Sequence, residues 1–250
     1  MLPFARGWAD VGRTPQRNLR LGAVLAFVAG ATNAGGFLAV GQYTSHMTGI
    51  VSSLSDHLVL GHTAVALAAL AALLSFLLGA MTTAILVNWG RRRQLHGAYA
   101  LPLVLEASLL LAFGLLGSGL RLWTALLVPV TVLLLCFIMG LQNAVISKIS
   151  HAEIRTTHLT GLVTDLGIEL GKLIYVNRRG PVDHAPVRAS RARMRTQGLL
   201  IGLFFIGGLS GAFGFQLAGY VTTVPLALLL LLIALRPVLR DLGRRAGAAA

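Results

Sequence analysis

The chain has 250 residues, of which 56% are hydrophobic and only 12% charged, and its mean hydropathy is +0.78. A water-soluble domain carries about a quarter charged residues, so this composition describes a polytopic membrane protein with no room for a soluble domain beside it. The net charge of +13 could suggest nucleic acid, but the placement of the charges argues against that partner, and the single Cys136 admits no intramolecular disulfide.

In chain order, a basic segment (residues 1–20, with Arg6, Arg13, Arg17 and Arg20) precedes the first apolar run. A cleaved signal peptide is the alternative there. Against it, the cleavage region would contain Asn33-Ala34, a pair that returns in mid-chain as Asn143-Ala144. A membrane-spanning helix needs about 20 mostly apolar residues. Stretches close to that occur at 21–41, 64–88, 99–118, 122–147, 198–218 and 220–236, the last two joined by a tight turn near Gly219-Tyr220. Segments 45–61 and 157–175 are shorter and amphipathic. Ser45, Gly49, Ser52 and Asp56 share one face of the first, and Thr157, Gly161, Asp165, Glu169 and Lys172 one face of the second.

Charge sets the topology. With the N-terminus inside and six spans, Arg91-Arg92-Arg93, the segment from Lys148 to Arg195 and the tail from Arg236 to Arg245 all face the same side. Of the 21 basic residues, only Arg121 then lies outside. A full crossing by either amphipathic segment would break this pattern, so the positive-inside rule selects six spans and two non-spanning helices. The basic excess then serves orientation and contact with anionic lipid headgroups.

Two polar motifs recur about 110 residues apart. Gly30-Ala31-Thr32-Asn33-Ala34 returns as Gly140-Leu141-Gln142-Asn143-Ala144, and Thr44-Ser45-His46-Met47-Thr48-Gly49 as Thr156-Thr157-His158-Leu159-Thr160-Gly161. Because the spans that bear them run in opposite directions, the expected fold is an all-α polytopic membrane protein with an inverted three-plus-three internal repeat. Its first half covers 21–118 and its second 122–236, with a basic loop at 177–197 and a basic tail at 237–250. The two short helices then either dip inward toward each other or lie flat at the interfaces. Their small Gly, Ser and Thr residues favour dipping.

The candidate solute-binding residues follow from that arrangement. Thr48 or Thr160 would cap a helix, Gly49 or Gly161 would admit a close approach, and the helix N-terminus would suit an anion. His46 and His158 would donate a hydrogen bond or relay a proton, or else hold the fold through backbone carbonyls. Asn33, Gln142 and Asn143 either tie helices together or line the route. Glu106 is an intramembrane carboxylate, unless it pairs with an arginine of the 91–93 cluster near the interface. Glu169 and Lys172 read as a self-paired, solvated face, which leaves Asp165 as the acid for the pathway. Gly198/Gly202, Gly207/Gly211 and Ser210/Gly214 read as tight helix-packing pairs. His57, His62, His96, His151 and His184 show no ligand spacing, and no metal site, phosphate loop or cofactor fingerprint is expected.

The paired H-[ML]-T-G turns resemble those of the YoaK-like family of bacterial inner-membrane proteins of unknown function. So do Phe27 to Phe37, which begins F-x-x-G, and the Met139-Gly140-Leu141-Gln142-Asn143-Ala144 run. The resemblance extends over residues 21–236 and implies a six-helix inner-membrane protein, without a substrate. Asn33 stands where that family commonly has Asp, and Ile50 where it has Asn. Any proton coupling through that Asp would here be absent or moved to Glu106 or Asp165.

The leading expectation is a transporter or facilitator for a small polar or anionic metabolite, with both termini cytoplasmic and a homo-oligomer allowed. A non-transporting scaffold or lipid-contacting protein is the alternative. Gly208-Leu209-Ser210-Gly211 matches the G-x-S-G turn of rhomboid proteases, but the one later span holds no base for the serine, so no enzyme is expected.

Overall fold

The structure is a computed structural model, and it describes residues 14–119, 124–150, 156–177 and 186–248. Expectations resting on Arg6, Arg13, Arg121, His151, His184 and the centre of the 177–197 loop lie outside the described residues. These form helices α1 (Pro15–Val40), α2 (Met47–Val59), α3 (Thr63–Arg92), α4 (Ala100–Gly119), α5 (Thr124–Ser150), α6 (Leu159–Ile174), α7 (Arg191–Ala218) and α8 (Thr223–Ala248). A 3-10 turn, Gly219–Thr222, joins the last two, and no strand occurs among the described residues.

Among the described residues, four helical segments are long and apolar enough to cross a membrane: Pro15–Val40, Thr63–Arg92, Leu127–Ser150 and Arg191–Asp241, with a shorter apolar helix at Ala100–Leu115. The protein is therefore all-helical and of membrane type. The number is smaller than the sequence suggests because α7, the turn and α8 are counted together as one stretch of 51 residues, and α4 is counted apart from the four. Local signals set the ends. Thr14 accepts a hydrogen bond from the Arg17 N–H (3.3 Å) ahead of Pro15, and Gly41, with φ at 75°, closes α1. Gly219, at φ 60°, closes α7 at the expected turn.

α1 packs on α7, and α3 on α5, through a contact made twice. The sequence F-x-x-G marks the contact on each of the four helices: Phe27 to Gly30, Phe76 to Gly79, Phe137 to Gly140 and Phe204 to Gly207. A Cβ at Gly30 would strike the Phe204 carbonyl, and one at Gly207 the Phe27 carbonyl. Between α3 and α5, Gly79 faces the Phe137 carbonyl and Gly140 the Phe76 carbonyl in the same way. Only glycine lets the backbones approach this closely, the arrangement favoured where lipid supplies no hydrophobic drive for helix association. Gly211 also packs on Ala31, whereas Gly198 and Gly202 meet nothing within 4 Å, so that expected packing pair is not one.

The contacts give the helix directions. α1 and α7 run parallel, with Phe27 against Gly207 and Gly35 against Phe215. α3 and α5 are parallel too, since Ser75 donates to the Leu133 carbonyl (2.7 Å) and Thr83 to that of Leu141 (2.8 Å). α1 and α5 are antiparallel: Asn18 donates to the Ile149 carbonyl (3.3 Å) and Gln142 to that of Leu25 (3.3 Å). α4 and α8 are antiparallel, with Gly97 against Asp241 and Gly117 against Tyr220. These directions gather Arg17, Arg91, Arg92, Arg93, Lys148, Arg191, Arg193, Arg195 and Arg240 at one end of the bundle.

Candidate functional site

The polar motifs form two junctions of the same design. After Gly41 the chain folds back along α1, and the Ser45 hydroxyl donates to Asn33 Oδ1 at 2.9 Å. Asn33 lies seven residues before the end of α1, so this junction sits about 10 Å inside the helix end at 1.5 Å per residue. After α5 the Thr157 hydroxyl donates to Asn143 Oδ1 at 2.7 Å, again seven residues before the helix end. Asn143 also donates to the Met139 carbonyl (2.8 Å). α1 and α5 are antiparallel, so the junctions enter from opposite ends of the bundle. Because Gln142 bonds Leu25, they stand about 12 Å apart along α1, with the glycine crossing between them.

Buried hydroxyls accompany both. Thr44 and Thr156, each immediately before the bonded residue, are fully buried, and neither Oγ1 has a hydrogen-bond partner. Thr32 Oγ1 and Gln142 Oε1, at corresponding positions of α1 and α5, are likewise buried without partners. An unpaired buried oxygen costs about 1–3 kcal/mol, so four such atoms in two matching pairs are an expense the fold does not need for packing alone.

The helix starts correct one expectation. His46 and His158, not Thr48 and Thr160, occupy the N-cap positions of α2 and α6, and neither makes a side-chain cap hydrogen bond. The space at Gly49 and Gly161 is taken by each motif's own histidine: a Cβ at Gly49 would lie 2.6 Å from His46 Nδ1, and one at Gly161 2.7 Å from His158 Nε2. With the ring laid over the first turn, the threonine two residues on turns outward, and Thr48 and Thr160 are exposed. His46 and His158 are themselves exposed, as is Asp165.

Glu106 is 1% exposed, its Oε2 has no partner, and among the described residues it makes no ion pair. It lies nine residues past Gly97, which contacts Asp241 at one end of α4, and eleven before Gly117, which contacts Tyr220 at the other. The acid is thus the seventh residue of α4, about 9 Å along it from the arginine-bearing end, and it makes no ion pair with the arginine cluster that sequence reasoning offered as a partner. Glu169 is not solvated either: 3% exposed, it bonds Lys172 Nζ (2.8 Å) and the Ser190 N–H (2.6 Å), tying α6 to the start of α7. Lys172, then the Ser190 N–H, hold its carboxyl below the usual range.

Beside the first junction, α1, α2, α3 and α5 line an open-sided cavity of about 540 Å³. His46, Gly49, Gln42, Tyr43 and Ser53 face it, and apolar residues, among them four alanines of α3 and Val128, Val132 and Leu133 of α5, make most of the rest of its wall. Phe37 and Tyr43, also on the wall, stack at 4.6 Å. A second pocket, of about 480 Å³, lies where α1, α7 and α8 meet. Ser210 lines it, but its hydroxyl donates to the Ile206 carbonyl (2.8 Å), and the wall holds no histidine, lysine or carboxylate. His57 and His62, which showed no spacing in sequence, meet Nδ1 to Nδ1 at 3.1 Å because the α2–α3 turn folds them together.

Residues 21–236 match the model of a family described as protein of unknown function, DUF1275. The chain belongs to the DUF1275 family. No curated protein and no solved structure matches it. Both junctions, Glu106 and the cavity wall all fall inside the span that defines DUF1275 membership.

Proposed function

We propose that this DUF1275 protein is an inner-membrane transporter or facilitator of a small polar or anionic metabolite, whose route passes both T-x-H-x-T-G motifs. The carrying observation is the duplicated junction. Asn33 with Ser45 and Asn143 with Thr157 enter from opposite ends, each beside buried hydroxyls without partners. Helices that begin at membrane depth with uncapped N–H groups suit polar or anionic groups. The glycine crossing between the junctions is closed by backbone packing, which favours alternating access over an open pore.

The topology belongs to the same reading. The chain turns back at Gly219, so that the start of α7 and the end of α8 lie at the same end of the bundle; α7 and α8 then count as two crossings and the chain as six. The helix directions and the basic end fit an inverted three-plus-three repeat with cytoplasmic termini, arginines against anionic headgroups, and the YoaK-like branch of the family. Glu106 is the acid placed to couple transport to protons.

Flux into proteoliposomes across a panel of neutral and anionic metabolites tests this. Uptake should fall in His46→Ala and His158→Ala, and folded protein that moves nothing on the panel refutes it. One observation favours a non-transporting, lipid-contacting role instead: α2 has no buried residue, and α6 buries only Leu162 and Glu169. In that case both histidine variants would leave the host phenotype unchanged.

A further inference from the structure

The two junctions are alike, but their surroundings are not. Phe76 to Gly79 and Phe204 to Gly207 put α3 and α7 in register, and in that register Ala68, Ala69 and Ala72 correspond to Thr196, Gln197 and Leu200. The alanines line the cavity of about 540 Å³ beside His46. Their counterparts near the other end of the bundle are larger, and Gln197 and Leu200 are buried, at 9% and 1% exposure.

Resting on the transport reading, we infer that the His46 cavity is a one-sided binding chamber for an uncharged amphipathic organic molecule. The matching space beside His158 is occupied by the protein's own side chains. The volume lies within the range of about 300–1,000 Å³ typical of small-molecule sites, and the wall has the usual make-up, mostly apolar with a few polar groups. The stacked Phe37–Tyr43 pair presents flat surface to an apolar body. Gln42, Tyr43, His46 and Ser53 supply hydrogen bonds to a polar end.

Charge narrows the class. The wall contains no lysine, arginine, aspartate or glutamate, and among the described residues no lysine or arginine is buried anywhere. The start of α2 offers about half an elementary charge, enough to orient a carbonyl or amide dipole. A full anion leaving water needs a paired cation, and no permanent one faces this space, the His46 ring being its one basic side chain. Of the polar or anionic solutes admitted above, the chamber thus selects the uncharged ones.

Phenylacetamide and phenylacetate share a skeleton and differ by one charge. Equilibrium binding of each, radiolabelled, to protein in nanodiscs of uncharged lipid tests the inference. The amide should bind at least about tenfold more tightly than the acid. Ala69→Gln, which installs the second repeat's residue, should abolish amide binding, and so should Ser53→Phe, which fills the chamber from α2 should Ala69→Gln fail to fold. Gln197→Ala should leave it unchanged. Equal or tighter binding of the acid, amide binding that survives both filling variants, or no amide binding to folded protein would each overturn the assignment. If the amide binds as described but no solute crosses proteoliposomes, the transport reading falls and the chamber stands. If uptake occurs and is indifferent to both filling variants, the chamber falls and transport stands.

Discussion

The glycine crossing makes the most direct demand on the sequence. A Cβ added at Gly30 would lie 2.9 Å from both the Phe204 carbonyl carbon and the Gly208 nitrogen, and closer still to the Phe204 oxygen. Ordinary heavy-atom contacts are about 3.5–4.0 Å, so α1 and α7 must separate by about 1 Å. The obstacle is main chain, which no rotamer change can move. A gap of that size forfeits a quarter to a half of the dispersion energy of each facing pair, and overpacking in cores costs about 1–3 kcal/mol. Gly30→Ala should therefore destabilise by about 3 kcal/mol, and Gly79, Gly140 and Gly207 should respond alike. Gly202→Ala is the internal control. Nothing lies within 4 Å of it, and alanine gains about 1 kcal/mol of helix propensity, so that variant should be neutral or stabilising. Unfolding in mixed micelles, followed by far-ultraviolet circular dichroism, measures both. Gly30→Ala as stable as Gly202→Ala would refute the crossing as described.

Other expectations follow from the polar contacts. Ser45→Ala and Asn33→Ala each remove one partner of a 2.9 Å bond, and a double-mutant cycle on unfolding free energy should give a coupling of about 1 kcal/mol. Glu106→Gln keeps the shape of the side chain and should fold, but in the flux assay it should abolish any dependence of uptake on a pH gradient. At the basic end, Asp241 accepts from the main-chain N–H groups of His96 (2.9 Å) and Gly97 (2.8 Å). Burial alone would raise its carboxyl, but these N–H groups and the His96 ring outweigh that and hold it below the ordinary 3.8. A depressed carboxyl contributes stability that is complete above the ordinary value and is lost as pH falls through the folded one. Melting temperature should therefore drop as pH is lowered below about 4, and Asp241→Asn should be less stable at neutral pH and flatter across that window.

Helix positions were legible because a membrane helix is written in long apolar runs. The turn at Gly219 and the two amphipathic helices stood out by the same contrast with their flanks. The repeated motif also pointed to Asn33 and Asn143, since an amide in an apolar span is conspicuous. Thr44 and Thr156 were not singled out, although the repeat contains them, because a threonine near a loop shows no sign of burial until its neighbours close over it. Of the F-x-x-G glycines only Gly207 was read as a packing position, through its pairing with Gly211; the partners went unseen because a glycine's partner is a carbonyl on a distant helix, which no local pattern names. Glu169 was misjudged because its second partner, the Ser190 N–H, comes from another element. The cavity rests on alanines, whose small size conveys a space only once the opposing wall is known.

The pairing of α1 with α7 and of α5 with α3 has a consequence for how the chain comes into being. Each half lends its first long helix to the other half's core, so neither half contains its own partner surfaces. On the proposed six-crossing topology, α1 would enter the bilayer first and wait, its glycine face turned to lipid, until α7 is made. A chain severed between α4 and α5 should yield two fragments that are each degraded when expressed alone and that protect one another when expressed together.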